Sequence, residues 1–98
     1  MFYTEVGIVG NATEKGWDDT LFMKQTNPNL GIWEGDFVLK DGGLKFRCGN
    51  TWTDNWGGNT FPEGQSIYFG EDIPIKAGNY HVILNLTKKT YQFIKIKS

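Results

Sequence analysis

Ninety-eight residues make one domain, and with 39% hydrophobic and 15% aromatic residues the chain can build a core without disulfides or a metal. Ten basic against eleven acidic side chains leave a net charge of −1, with Arg47 the only arginine, which excludes the concentrated positive footprint that nucleic-acid binding needs. A single cysteine, Cys48, excludes an internal disulfide and a thiolate metal cluster, and no signal peptide, transmembrane run or lipidation motif is readable.

In chain order, the first predicted strand lies around Val6 and Ile8, flanked by glycines. A polar loop, EKGWDDT, follows with Trp17, and then a short strand, LFMK, ended by the turn signal TNPNLG. IWEGDFVL places Trp33, Phe37 and Leu39 on one face, so Trp33 is expected in the core. KDGG reads as a hairpin turn into LKFRC, where Leu44, Phe46 and Cys48 point inward while Lys45 and Arg47 point outward.

Residues 49–64 are turn-rich and carry Trp52 and Trp56. QSIYF and DIPI read as short strands, the second at an edge or bulge because of Pro74. NYHVILNL turns Tyr80, Val82, Leu84 and Leu86 inward. The final run, YQFIKI, shows apolar residues in both phases, consistent with a bulge or with a strand covered on both faces. The lysines near the end (Lys88, Lys89, Lys95 and Lys97) read as a solvated edge. About eight short strands joined by Gly, Asn and Pro turns predict an all-β, Ig-like antiparallel β-sandwich. Residues 1–98 read as one such domain cut from a larger protein.

No catalytic set is evident. His81 is the only histidine, lies opposite the core phase of its strand, and has no Ser or Asp beside it in sequence. The Asp18-Asp19 and Glu71-Asp72 pairs sit in turns, where such residues commonly bond the backbone. Glycoside hydrolysis needs two acids roughly 5–9.5 Å apart across a cleft, and a sandwich of this size offers little depth. Asp, Asn and backbone oxygens crowd both Trp-bearing loops, yet no calcium-loop spacing appears. The expectation is a chain without enzymatic activity, cofactor or metal.

Three tryptophans lack an alternating apolar partner: Trp17, Trp52 and Trp56. They either cap the open ends of the sandwich or form a platform for sugar. A pyranose offers a C–H face on which indole rings stack, removing apolar area from water, while its hydroxyls need short polar partners. Arg47 suits that second task because its planar fork can hold two adjacent hydroxyls. Trp17, Arg47 and Trp56 form the candidate constellation, with Trp52, Lys45, Asn50 and Asn55 nearby. Trp52 is assigned either to the platform or to bracing the loop.

Taken together, VGIVGNATEKGWDD, GIWEGDFVL, GLKFRCGNTWTDNWGG and IPIKAGNYHVILNLTKKTYQF resemble the domains of the SusE/SusF proteins, starch-binding lipoproteins on the surface of Bacteroidetes. The likeness spans residues 6–96. It implies a non-catalytic carbohydrate-binding module, most often for starch-like α-glucan, in a lipid-anchored protein exposed at the outer membrane. The implied partners are polysaccharide or oligosaccharide, neighbouring domains of the parent protein and an outer-membrane glycan importer, with no nucleic acid among them. By position, Trp17 matches the first aromatic of the family's site, Arg47 its basic residue and Trp56 its second aromatic. Some domains of such proteins bind no sugar, so the alternative expectation is an Ig-like spacer or protein-interaction domain.

Overall fold

Strands form where apolar and polar residues alternate, and the pairing partners decide which alternation becomes core. The computed structural model describes residues 3–96, which contain eleven strands and no helix. Every strand pairing is antiparallel. The front sheet runs β2 (Leu21–Phe22), β1 (Val6–Val9), β5 (Gly42–Cys48), β6 (Asn55–Gly57), β8 (Ile67–Tyr68), and β9 (Ile73–Ile75) pairs with the first half of β5. The back sheet runs β3 (Lys24–Asn27), β4 (Ile32–Leu39), β10 (Gly78–Asn85), β11 (Thr90–Lys95), β7 (Glu63–Gln65). The fold is therefore the all-β antiparallel sandwich anticipated. Its strand number exceeds the expected eight because seven of the eleven strands are only two to four residues long between turns, such as β2, β6 and β8.

The inner faces interlock through aromatics. Phe46 on the front sheet stands 6.0 Å from Tyr91 and 6.1 Å from Phe93 on the back sheet, ring centre to ring centre. Trp33, Tyr80, Val82 and Leu84 complete that layer, all at most 5% exposed. Tyr91 and Phe93 take the inward phase of β11, and Ile94 points out, half-exposed, in unbroken register. Cys48 is only partly buried, and packs against the core as a small apolar group.

Three expectations are corrected. LFMK is not one strand: Met23 sits between β2 in the front sheet and β3 in the back sheet, so the chain changes sheets there. KDGG is not a hairpin turn, because β4 and β5 belong to different sheets. Its polar groups are taken elsewhere: Lys40 N–H donates to Ala12 O at 2.9 Å, and Asp41 Oδ1 accepts from Ala77 N–H at 2.8 Å. The turn-rich segment after Gly49 contains a strand, β6, which pairs Trp56 with Phe46 and Asn55 with Arg47. Of the terminal lysines, Lys97 lies outside the described residues.

Candidate functional site

Directly paired residues in antiparallel strands point to the same side of a sheet, which sorts the candidate residues at once. One cross-strand row on the outer side of the front sheet is Phe22, Gly7, Arg47, Asn55, and the next contains Val9 and Lys45. Trp56 pairs with Phe46 and points inward.

Two loops fold over this outer face. The loop between β5 and β6 lays the Trp52 ring over the two cations, 4.6 Å from Arg47 Cζ and 5.7 Å from Lys45 Nζ. Cation–π contacts of this range contribute about 0.5–1 kcal/mol at exposed sites and more when desolvated. The segment between β1 and β2 brings Trp17 beside it, with ring centres 5.9 Å apart and planes inclined by 42°. Trp17 is 37% exposed and Trp52 43%. Gly16, in the left-handed region at φ 63°, reverses the chain immediately before Trp17, and its amide closes a turn onto Thr13 O at 3.2 Å.

A buried polar network ties the two loops together. Arg47 Nε donates to Thr20 Oγ1 at 2.7 Å, and Thr20 Oγ1 donates to Gly49 O at 2.7 Å. Thr20 N–H donates to Asn50 Oδ1 at 2.9 Å. On the other flank, Lys45 Nζ donates to Asn55 Oδ1 at 2.5 Å, and Asn55 Nδ2 donates to the carbonyl of Trp52 at 3.0 Å. Thr20 reaches this position because residue 7 has no side chain: a Cβ there would lie 2.4 Å from Leu21 O and 2.7 Å from the Thr20 methyl. Burial lowers the pKa of Arg47, partly offset by Asp19, and lowers that of Lys45, partly offset by Asp72.

The candidate residues thus separate. Trp17 and Trp52 meet on one exposed surface, with Lys45 half-buried beside them and Asn50 exposed at its margin. Arg47 does face outward, but it is only 2% exposed: Thr20 takes its Nε and Trp52 covers its plane. It supports the platform and does not present a free fork, which corrects the role expected of it. Asn55, also 2% exposed, holds Trp52 in place. Trp56 is corrected most: at 6% exposure it packs edge-on to Tyr3 at 5.1 Å, away from the face that carries Trp17 and Trp52. The opposite outcome from Trp52, four residues earlier, follows from β6, whose pairing turns residue 56 inward.

Two residues of this surface escaped the sequence reading. Thr20 appeared only as the end of a polar loop, yet it joins both loops to Arg47. Phe22, 49% exposed, stands in the same cross-strand row as Arg47 with Gly7 between them. The alternation of β2 and β1 would have found it, had LFMK been recognised as split at Met23.

Burial, then Asp54, pushes the Cys48 thiol up to about 11, so at neutral pH it is protonated and weakly nucleophilic. Among the described residues no group of three or more His, Cys, Asp or Glu side chains is arranged to hold a metal ion. Comparison with protein-family models, with curated proteins and with solved structures returns no significant match.

Proposed function

We propose that this domain is a non-catalytic glycan-binding module that holds polysaccharide by stacking it on Trp17 and Trp52. The observation that carries the reading is the exposed pair itself: two indoles held 5.9 Å apart, inclined by 42°, on a surface fixed from below by Arg47, Thr20 and Asn55. Large apolar rings on a monomer's surface, rigidly seated and rimmed by polar groups, are a mark of a binding surface. The rigidity matters because a preformed platform loses little entropy on binding. Lys45, Asn50, Asp18 and Asp19 supply hydroxyl partners around the rings. An inclined pair suits a curved chain such as an α-glucan better than a flat ribbon, in keeping with the SusE/SusF resemblance. By that resemblance the parent protein would be a lipoprotein at the outer-membrane surface, presenting glycan to an importer.

A second reading, an Ig-like spacer or protein-interaction domain, is favoured by one observation: Trp52 already covers a buried Arg47, so it has an intramolecular role. Tryptophan fluorescence separates the two. Trp33 and Trp56 are buried, and a change in emission that is lost in Trp17→Ala or Trp52→Ala reports the exposed pair. Titration with maltoheptaose should give a saturable change, with weaker or no change for xylan and mannan oligosaccharides. No change with any of these glycans would favour the spacer.

A further inference from the structure

Trp17 and Trp52 come from different loops, so the platform exists only where something besides the rings brings them together. A single tilted contact between part-exposed rings does not order two loops. The β5–β6 loop is anchored without help from Trp17. Cys48 N–H donates to Asp54 O at 3.1 Å, Gly49 N–H donates to Glu5 O at 2.8 Å, and Asn55 Nδ2 holds the Trp52 carbonyl at 3.0 Å. The β1–β2 segment is different. Its internal backbone bonds close residues 10–16 only: Gly10 N–H donates to Gly16 O, Thr13 N–H to Gly10 O and Gly16 N–H to Thr13 O, at 3.0–3.2 Å. Trp17, Asp18 and Asp19 make no hydrogen bond to another described residue, and the next bonds along the chain are those of Thr20.

Thr20 supplies both hydrogen bonds between this segment and the facing loop, from N–H to Asn50 Oδ1 at 2.9 Å and from Oγ1 to Gly49 O at 2.7 Å. The same Oγ1 accepts from Nε of Arg47, the residue whose plane lies under the Trp52 ring. A hydroxyl whose proton goes to one partner and whose lone pair serves another is held in one rotamer, and the cationic donor strengthens that bond. Thr20 is 6% exposed, so water competes little for these contacts. Its methyl lies over Gly7, where a Cβ would come within 2.7 Å of it. Trp17 therefore sits on a short span pinned at Gly16 on one side and at Thr20 on the other, beside a Trp52 ring that is already fixed.

We propose that Thr20 is a positioning residue of the platform, one that sets Trp17 against Trp52 and thereby the grip on a glycan. The ligand is taken from the glycan-binding reading, but the placing of the rings is tested without any ligand. Two indoles in contact couple their transitions and give an exciton couplet in circular dichroism, assigned to this pair by its loss in Trp17→Ala and in Trp52→Ala. Thr20→Val keeps the shape of the side chain and removes the hydroxyl, whereas Thr20→Ser keeps the hydroxyl. Folded Thr20→Val should lose most of the couplet and bind maltoheptaose roughly twofold to tenfold more weakly, the penalty of ordering a freed side chain on binding. Thr20→Ser should return both close to the parent's values. An unchanged couplet in folded Thr20→Val would overturn the proposal and leave Thr20 a stabilising residue, seen only in the urea midpoint. Loss of the couplet with affinity unchanged would overturn the link to binding. A parent that shows the couplet but binds no glycan would overturn the glycan-binding reading, while loss of the couplet in Thr20→Val would still support the placing of the rings. If Thr20→Val does not fold, Asn50→Ala takes its place: a weakened couplet supports the proposal and an unchanged one overturns it.

Discussion

The outer faces of the two sheets begin from the same alternation and end as different surfaces. On the front sheet, Lys45, Arg47 and Asn55 face outward and are covered by two loops that lay Trp52 over the cations and Trp17 beside it. On the back sheet, Glu34, Asp36 and His81 face outward in equivalent fashion, yet their side chains stay open to solvent, 27%, 69% and 35% exposed. His81 lies between two carboxylates, with Nδ1 2.6 Å from Asp36 Oδ1 and Nε2 2.7 Å from Glu34 Oε1, and Thr26 also bonds Glu34. Exposed apolar residues on this face, Val38 and Ile94, stand singly. What makes one face a candidate site is therefore its connections. The front face owes its aromatics to the β1–β2 and β5–β6 loops, whereas the back face is crossed by strands joined through short turns such as residues 86–89.

The contrast can be broken most severely through what underlies the front face. Trp56→Ala removes a buried ring between Tyr3 and Tyr68 and should cost about 3–5 kcal/mol in urea denaturation, with any glycan binding lost only as the fold is lost. Gly7→Ala should cost about 2–3 kcal/mol, because its methyl meets the backbone of Leu21 and displaces Thr20 from Arg47. Surviving folded protein should bind glycan poorly, since both loops are then misplaced. Trp52→Ala and Trp17→Ala should reverse that balance: a stability change below about 1 kcal/mol, but affinity for maltoheptaose lower by about tenfold or more, equivalent to about 1.4 kcal/mol. Val38→Ala on the back face should leave affinity unchanged in the same titration.

The smallest effect lies on the back face and is a matter of pH. Hydrogen bonds to Asp36 and Glu34 raise the His81 pKa above its ordinary 6.5, so the stability it contributes is complete below that value and is lost as pH rises through the higher folded-state value. Hydrogen bonds from Thr26 and His81 lower the pKa of Glu34 below 4.5, so its contribution is present above 4.5 and is lost as pH falls through the depressed value. Unfolding midpoints measured at pH 5.5 and pH 8.5 should therefore decline modestly for the parent, and the decline should shrink in His81→Gln. Glycan affinity should not follow this change if the two faces are independent.

Much of this was readable from the residues alone. The phases of β1, β4, β5 and β10 follow from alternation over several residues, which is why Trp33 was placed in the core and Lys45 and Arg47 outside it. The three residues of β6 are too few to show a period, and Asn, Asp and Gly on either side signal turn. Its strand character comes from pairing with β5, a long-range fact that decided between Trp52 and Trp56. The changes of sheet at Met23 and at Asp41 were hidden for the same reason, since a turn-like tetrapeptide does not say which strand lies beyond it. For Arg47 the alternation fixed the direction of the side chain but not its cover, because Thr20 and Trp52 reach it from opposite sides in sequence.

The most direct test of stacking on the front face is binding of the parent, Trp17→Ala, Trp52→Ala and Val38→Ala chains to insoluble starch, with folding of each checked by circular dichroism. Stacking predicts that the parent and Val38→Ala are retained while folded Trp17→Ala and Trp52→Ala are not. Retention of both tryptophan variants at the parent's level would contradict it.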